Sequence, residues 1–276
     1  MAYGSGHGSA RVVDFGKHDP MLARLRLEAE EAIEREADLG AFMFANVLNH
    51  DTLEAIAVHR VAVRLENRDL PSDLIRQTYM DVVSQDASIG EAFRADAMAV
   101  FDRDPACTRL IEPFLYFKGF HAIQIHRLAN WLWQRGRRNL ALYLQCRSSE
   151  SLQVDIHPAA RLGRGLFFDH ATGIVIGETA VVGDDVSILQ GVTLGGTGLQ
   201  TGARHPRIGR GVLIGAGAKV LGGIDVGPGA RIGAGSMVLQ PVPAHVTAAG
   251  NPARIIGIAG SAEPGRTMDQ LFDHKA

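Results

Sequence analysis

Cysteine is nearly absent: Cys107 and Cys146 are the only two in 276 residues, and no CxxC spacing occurs. That scarcity excludes a disulfide framework and the usual thiolate zinc and redox motifs, and it suits a reducing cytoplasm. A surplus of one charge is missing too, since 28 Lys and Arg face 30 Asp and Glu. No broad electrostatic footprint for nucleic acid or an anionic membrane results, and neither is expected as a partner. No apolar run approaches the roughly 20 residues that span a bilayer, and the N-terminus lacks the charged-then-apolar order of a signal peptide. The GxxxxGK[ST] phosphate loop is absent as well. What remains is a soluble, globular, cytoplasmic chain as the expectation, with 46% apolar residues to build a core.

What the chain does have is 32 glycines and a six-residue rhythm in its C-terminal half. Apolar or small residues recur at Ile156, Leu162, Phe168, Ile174, Ala180, Val186 and Val192, then at Ile208, Ile214, Val220, Val226, Ile232 and Val238. Many are followed by Gly, as in Ile208-Gly209 and Ile232-Gly233. A fixed period that pairs an inward residue with a small neighbour at a tight corner predicts hexapeptide repeats winding a parallel β-helix. With about three hexapeptides per turn, these positions predict four to five turns. The rhythm breaks between Val192 and Ile208, a gap of one hexapeptide plus ten residues. The excess reads as one Gly-rich excursion running to Arg204-His205-Pro206. A regular solenoid has no structural need of such a loop, so it is a functional candidate.

Upstream, from 19 to 153, glycine thins out and the spacing turns helical. Helices are predicted over 20–38 and within 41–66, and over Phe120 to Trp133 with Gly136 ending it. Helix starts are predicted at Pro71-Ser72-Asp73 and at Asp104-Pro105, where an Asp cap before Pro satisfies orphan amides. The fold class is α+β: an all-α domain over 19–153, then the β-helix over 154–257. Residues 1–18 and 258–276 are expected to be flexible tails.

Ionisable residues stand out against the small apolar faces of the coil: Asp155, His157, Asp169, His170, Glu178, Arg204 and His205. Asp155 and His170 lie fifteen residues apart, close to one turn, which would set them on neighbouring rungs. An imidazole oriented by a carboxylate is a competent general base near neutral pH. The plain alternative is that His170 caps a corner beside Asp169. Arg204 suits a bidentate grip on a carboxylate, or is simply solvated on its loop. Asp104 has its role as a cap. The coil histidines are widely spread, without the close pair a zinc site would use, so no metal is expected. Corners such as Gly215-Ala216-Gly217 offer backbone amides to a long flexible thread, with Lys219 or Arg254 for its phosphates.

Several runs carry a family resemblance: Phe117-Lys118-Gly119-Phe120-His121-Ala122, Val154-Asp155-Ile156-His157-Pro158-Ala159-Ala160 and Asp169-His170-Ala171-Thr172-Gly173. Gly177-Glu178-Thr179-Ala180, Val192-Thr193-Leu194-Gly195-Gly196-Thr197-Gly198, Arg204-His205-Pro206 and Ala248-Ala249-Gly250-Asn251-Pro252-Ala253-Arg254 add to it. Over roughly residues 100–256 the chain resembles bacterial serine O-acetyltransferases. The resemblance implies a left-handed β-helix, homotrimers with active sites between adjacent subunits, and a helical domain joining two trimers into a hexamer. It implies acetyl transfer from acetyl-CoA to L-serine, the first step of cysteine biosynthesis, and inhibition by L-cysteine at the serine site. His170 resembles the general base and Asp155 its dyad partner. Arg204 would hold the serine carboxylate, Asp104 and Asp169 would lie near its ammonium group, and His205 would come from the neighbouring subunit. Gly196, Ala216, Lys219, Ala234 and Arg254 are the candidate contacts for acetyl-CoA, the co-substrate. Longer family members often end in Ile, which docks into O-acetylserine sulfhydrylase; this chain ends Asp273-His274-Lys275-Ala276, so that complex is not expected. The alternatives are a coil acetyltransferase for another hydroxyl acceptor such as a sugar, a zinc hydratase on a similar coil, and a non-catalytic scaffold.

Overall fold

The computed structural model describes residues 19–198 and 201–271. The expected tail at 1–18, the residues after 271 and two positions of the Gly-rich loop, Leu199 and Gln200, lie outside the described residues. Helix α1 (Pro20–Arg35) begins as its sequence dictates, with the Asp19 carboxylate accepting from the amides of Met21 and Leu22 and Pro20 in the first turn. The stretch after it is broken into a 3-10 turn (Ala37–Leu39), a short α2 (Gly40–Met43) and a π turn (Phe44–Leu48). Helices α3 (Leu53–Leu65), α4 (Ser72–Gln85), α5 (Ala87–Arg103), α6 (Ile111–Leu115), α7 (Lys118–Gln134) and α8 (Arg138–Leu152) follow.

Asp104 corrects one expectation. It closes α5 instead of opening a helix, and its Oδ1 accepts from the Ala106 amide at 2.8 Å in a tight turn, while α6 begins only at Ile111. An Asp-Pro pair is equally turn chemistry, and nothing local distinguishes the two outcomes. The helical core packs Tyr79, Phe93, Phe114 and Phe120, all fully buried. Within it the Asp96 carboxylate is buried, paired with Arg127 at 2.6 Å and accepting from Gln124 and from the Leu166 amide. Arg127 also donates to the Gly163 carbonyl. A buried charge persists only where its partners are supplied, and these partners tie α5 and α7 to the first turn of the coil.

The coil has three sheets. The first stacks β1 (Val154–Ile156), β4 (Ile174–Ile176), β7 (Thr193–Gly195), β10 (Lys219–Leu221) and β13 (Met237–Val238). The second stacks β2 (Arg161–Leu162), β5 (Val181–Val182), β8 (Arg207–Ile208) and β11 (Asp225–Val226). The third stacks β3 (Phe167–Asp169), β6 (Ser187–Leu189), β9 (Leu213–Ile214), β12 (Arg231–Ile232), β14 (Val246–Gly250) and β15 (Ala253–Ile258). All neighbours pair in parallel except β14 and β15, which form an antiparallel end.

The registers revise the phase. A regular turn is eighteen residues long, as where Val175 pairs with Thr193 and Lys219 with Met237. The first turn takes twenty, pairing Val154 with Ile174, and the third takes twenty-six, pairing Thr193 with Lys219. The ten extra residues are therefore split, two at the corner between β3 and β4 and eight in the loop between β7 and β8. The rung positions that continue from Phe168 are Ile176, Val182, Ile188 and Leu194, two residues beyond those expected from the rhythm. Ile174, Ala180, Val186 and Val192 are also buried, because a second inward position two residues earlier fills each corner. Two apolar residues per hexapeptide make either phase equally plausible by sequence, and the slip is silent.

The segment after Ile258 is also unlike its expectation as a mobile tail. Through residue 271 it packs against the body: Gly265 donates to the Gly211 carbonyl at 2.8 Å, and Arg231 donates to the Asp269 and Leu271 carbonyls. A short α9 (Pro264–Thr267) lies against α5 and β9.

Candidate active site

The two-residue insertion falls on Asp169-His170-Ala171-Thr172-Gly173. His170 and Ala171 adopt φ of 53° and 63°. A left-handed backbone costs a non-glycine residue roughly 1–2 kcal/mol, and two in succession mark a corner held by its surroundings. Those surroundings are visible. The Gly173 amide donates to the Gln153 carbonyl, and the Gly191 amide to the Thr172 carbonyl, both at 2.8 Å. Lys118 Nζ donates to Thr172 Oγ1. The start of α7 lies so close that a Cβ on Gly119 would stand 2.0 Å from the Phe168 carbonyl oxygen, so only glycine lets the helix seat against β3.

The corner aims the His170 side chain outward, 77% exposed, with Nε2 3.9 Å from Asp169 Oδ1. It opens on a cleft of about 920 Å³ lined by Asp104, Phe117, Lys118, Asp169 and His170, with Thr267, Met268 and Gln270 of the C-terminal segment on its far side. The structure thus brings Asp104, Asp169 and His170 together. Burial, reinforced by the neighbouring Asp104 carboxylate and opposed by His170, pushes the Asp169 carboxyl above the ordinary range. Two carboxylates facing one partly dry space attract a cation, and an ammonium group would relieve both.

Asp155 sits mid-strand in β1 between the inward Val154 and Ile156, and in register it faces Val175. Its carboxylate accepts from Gln145 Nε2 at 2.7 Å. One rung from Asp155 is therefore Val175; His170 lies in the corner leading into that rung, and no hydrogen bond joins the two among the described residues.

Arg204 and His205 lie elsewhere, at the base of the eight-residue excursion and on the corner between the first and second sheets. His205 borders a different cleft of about 440 Å³, shared with Arg161, Glu178 and Asp225. Arg204 pairs with Glu178 at 2.6 Å, and that hydrogen bond holds the Glu178 carboxyl below its ordinary range. The His205 ring lies flat on Gly177, where a Cβ would meet Cδ2 at 2.0 Å. Burial, and then Arg204, lower its pKa. His157 spends its Nδ1 on the Ala159 amide and stands edge-on to Trp133.

The candidate acetyl-CoA contacts divide. Ala216 and Ala234 stack on the corner that begins at His170, one turn apart, with the Gly235 amide donating to the Ala216 carbonyl. Arg254 is exposed on β15 opposite Ala249, at the end of that sheet. Lys219 lies beside the same edge and donates to the Gly191 carbonyl. Gly196 belongs to the other corner, 3.7 Å from His205 Nε2 measured from a built Cβ. The corner that begins at His170 thus continues along the coil as a row of small residues. Among the described residues no group of three or more His, Cys, Asp or Glu could hold a metal ion.

Known proteins match along the whole of this arrangement. Residues 21–125 match the model for the N-terminal region of serine acetyltransferases, and 205–240 match the bacterial transferase hexapeptide. A serine acetyltransferase of Salmonella typhimurium is 52% identical over 249 residues, covering 90% of this chain and 91% of its own. The chain belongs to the serine acetyltransferase family. A Brucella abortus serine acetyltransferase solved with coenzyme A superposes with a TM-score of 0.87 at 57% identity, over 88% of this chain and 97% of that one. A serine acetyltransferase solved with cysteine superposes at 0.89 and 48% identity, over 91% and 98%. The sequence reading missed three contacts around these residues: Gln145 on Asp155, Lys118 on Thr172, and Thr179 on Arg204 and His205. Of these, Lys118 and Thr179 stand inside quoted runs, but their partners are set by the fold.

Proposed function

We propose that this chain transfers the acetyl group of acetyl-CoA to the hydroxyl of L-serine, giving O-acetyl-L-serine and CoA. The observation that carries the reading is the strained corner that presents His170 beside Asp169 and Asp104 on one cleft, at the head of a row of small residues. His170 accepts the serine hydroxyl proton as that oxygen attacks the thioester carbonyl. The tetrahedral intermediate collapses with loss of the CoA thiolate, which recovers the proton from the imidazolium. Asp155 stabilises the imidazolium from the outer face of the first sheet. Asp104 and Asp169 receive the serine ammonium, and Arg204 receives its carboxylate. The pantetheine arm runs along the corner at Ala216 and Ala234, with Gly196 near the thioester and Lys219 and Arg254 toward the phosphates.

Arg204 and His205 occupy a different corner from His170, and His170 is mostly exposed in one chain. Both facts favour a complete site formed between copies, and a homotrimer with threefold packing of the coils meets that need; pairing of trimers through the helical domain would give a hexamer. L-cysteine carries the same ammonium and carboxylate as serine and would compete at the same subsites. No described helix is long and apolar enough to cross a membrane, and two free thiols suit a cytoplasmic setting.

The test is thiol release from acetyl-CoA with L-serine, beside L-homoserine and a simple sugar, each with and without a chelator. Serine-dependent release that survives chelation is expected. Release with the sugar alone, or none from folded protein, would overturn the acceptor assignment.

A further inference from the structure

We propose that Thr179 is a positioning residue that holds His205 as its Nε2–H tautomer, so that His205 acts as a hydrogen-bond donor to a reacting oxygen and not as a second base. The proposal rests on the reading of His205 as part of the serine site. Its basis is a count of donors and acceptors around one hydroxyl and one ring nitrogen.

The Thr179 amide points at His205 Nδ1 at 3.2 Å. A backbone N–H can only donate, so Nδ1 presents a lone pair and the ring proton resides on Nε2. The Thr179 hydroxyl oxygen accepts the amides of both Arg204 and His205, each at 3.1 Å. Its own proton is then free to donate, and the same Nδ1 lies 2.9 Å away. Two donors therefore converge on Nδ1, and protonation there would set an N–H against both. The ring packs against Gly177, where a Cβ would stand 2.0 Å from Cδ2 and 2.1 Å from Nε2. The ionisable groups that act on the ring are Arg204 and His157, which disfavour the imidazolium, and Glu178, which favours it but is already paired with Arg204. The lowered pKa of His205, led by burial, agrees with a ring that stays neutral.

The consequence is a division of labour between two imidazoles of one reaction. His170 is exposed, carries no such pair of donors among the described residues, and is available to take a proton. His205 is fixed with its one N–H on Nε2, the nitrogen beside Gly177 and Gly196, and so can serve as an oxyanion or hydroxyl donor but not as a base. Because the same hydroxyl also anchors the Arg204 amide, Thr179 sets the relative placement of the carboxylate-binding guanidinium and the donor.

The experiment combines nitrogen and carbon NMR of the histidine rings in the full-length oligomer with steady-state kinetics of Thr179→Val and Thr179→Ser. In the wild-type protein the His205 signals, assigned by their loss in His205→Gln, should report the Nε2–H tautomer throughout the neutral range. Thr179→Val, which keeps the amide donor and loses the hydroxyl, should weaken the hold on the Nε2–H tautomer, raise the His205 pKa, and lower kcat about tenfold or more with the acetyl-CoA KM little changed. Thr179→Ser, which keeps the hydroxyl, should restore the wild-type tautomer and most of kcat. An Nδ1–H tautomer in the wild type, or a Thr179→Val protein with wild-type kcat, would overturn the proposal. The tautomer reading needs no substrate, so it stands or falls separately from the identity of the acceptor.

Discussion

The two departures from the eighteen-residue turn solve one problem by different means. At the His170 corner, two extra residues place a side chain through backbone strain: φ turns positive at His170 and Ala171, and neighbouring carbonyls hold the distortion. At the Arg204-His205 corner, eight extra residues leave the excursion long, and position is recovered with side-chain hydrogen bonds from Thr179 and Glu178. A short insertion has few conformations to lose and can be held by the ladder on either side. A long one has many, and needs local anchors to fix its functional end. The first device suits the proposed base, His170, which must meet a substrate proton. The second suits a buried donor, whose direction matters more than its access.

The sharpest way to break this comparison is to remove the chemistry from the strained corner while leaving the coil. His170→Ala should lower turnover by about 10² to 10⁴ while circular dichroism and oligomer size remain those of the wild type. Undiminished turnover would remove His170 as the base and leave the corner a merely structural oddity.

Next in size is a change beneath the other corner. In Gly177→Ala the new methyl would occupy the place of the His205 ring, which Thr179 holds from the other side. A loss of roughly 10² in kcat is expected, comparable with removal of one oxyanion donor, with thermal stability lowered much less than activity. Equal turnover in this variant would show that the His205 ring does not need its place on Gly177.

The smallest effect tests strain directly. Ala171 holds a left-handed backbone with its side chain fully buried and no polar task. Ala171→Gly should relieve the steric cost and raise stability by about 0.5 to 1 kcal/mol, read as a higher denaturation midpoint at unchanged m-value. A lower midpoint would mean that the buried methyl contributes more by packing than the φ angle costs.

Much of the coil was legible beforehand because its constraint is repetitive and local. Inward aliphatic residues at Leu162, Ile208 and Ile214, each followed by glycine, are dictated by a narrow prism with tight corners. The two-residue slip was not legible, since Ile174 and Ile176 are both apolar and both buried, and no period distinguishes them. Asp104 was legible as a capping residue but not as the end of α5, because Asp-Pro satisfies turns and helix starts alike. The docking of residues 259–271 escaped because its contacts, from the Gly265 amide to the Gly211 carbonyl and from the Arg231 guanidinium to the Asp269 and Leu271 carbonyls, join residues far apart in the chain and follow no period.

For the site, residue types were readable and partners were not. Asp169 and His170 announced themselves as ionisable groups among small apolar ones, Asp104 was reached only through the family resemblance, and the fold gathers all three on one cleft. Gln145 beneath Asp155, Lys118 on Thr172 and Thr179 around His205 are ordinary surface-type residues whose roles depend on what stands opposite.

By itself, then, the sequence determined the helical and coiled halves, the inward rows and the chemical groups, because these follow from composition and period, which act over a few residues. Only the tertiary structure decided that ten extra residues divide two and eight, that His170 and Arg204 stand on different corners, and that a threonine hydroxyl meets an imidazole twenty-six residues away. Those outcomes depend on which strand pairs with which, and register between turns is set by contacts that the linear pattern leaves open.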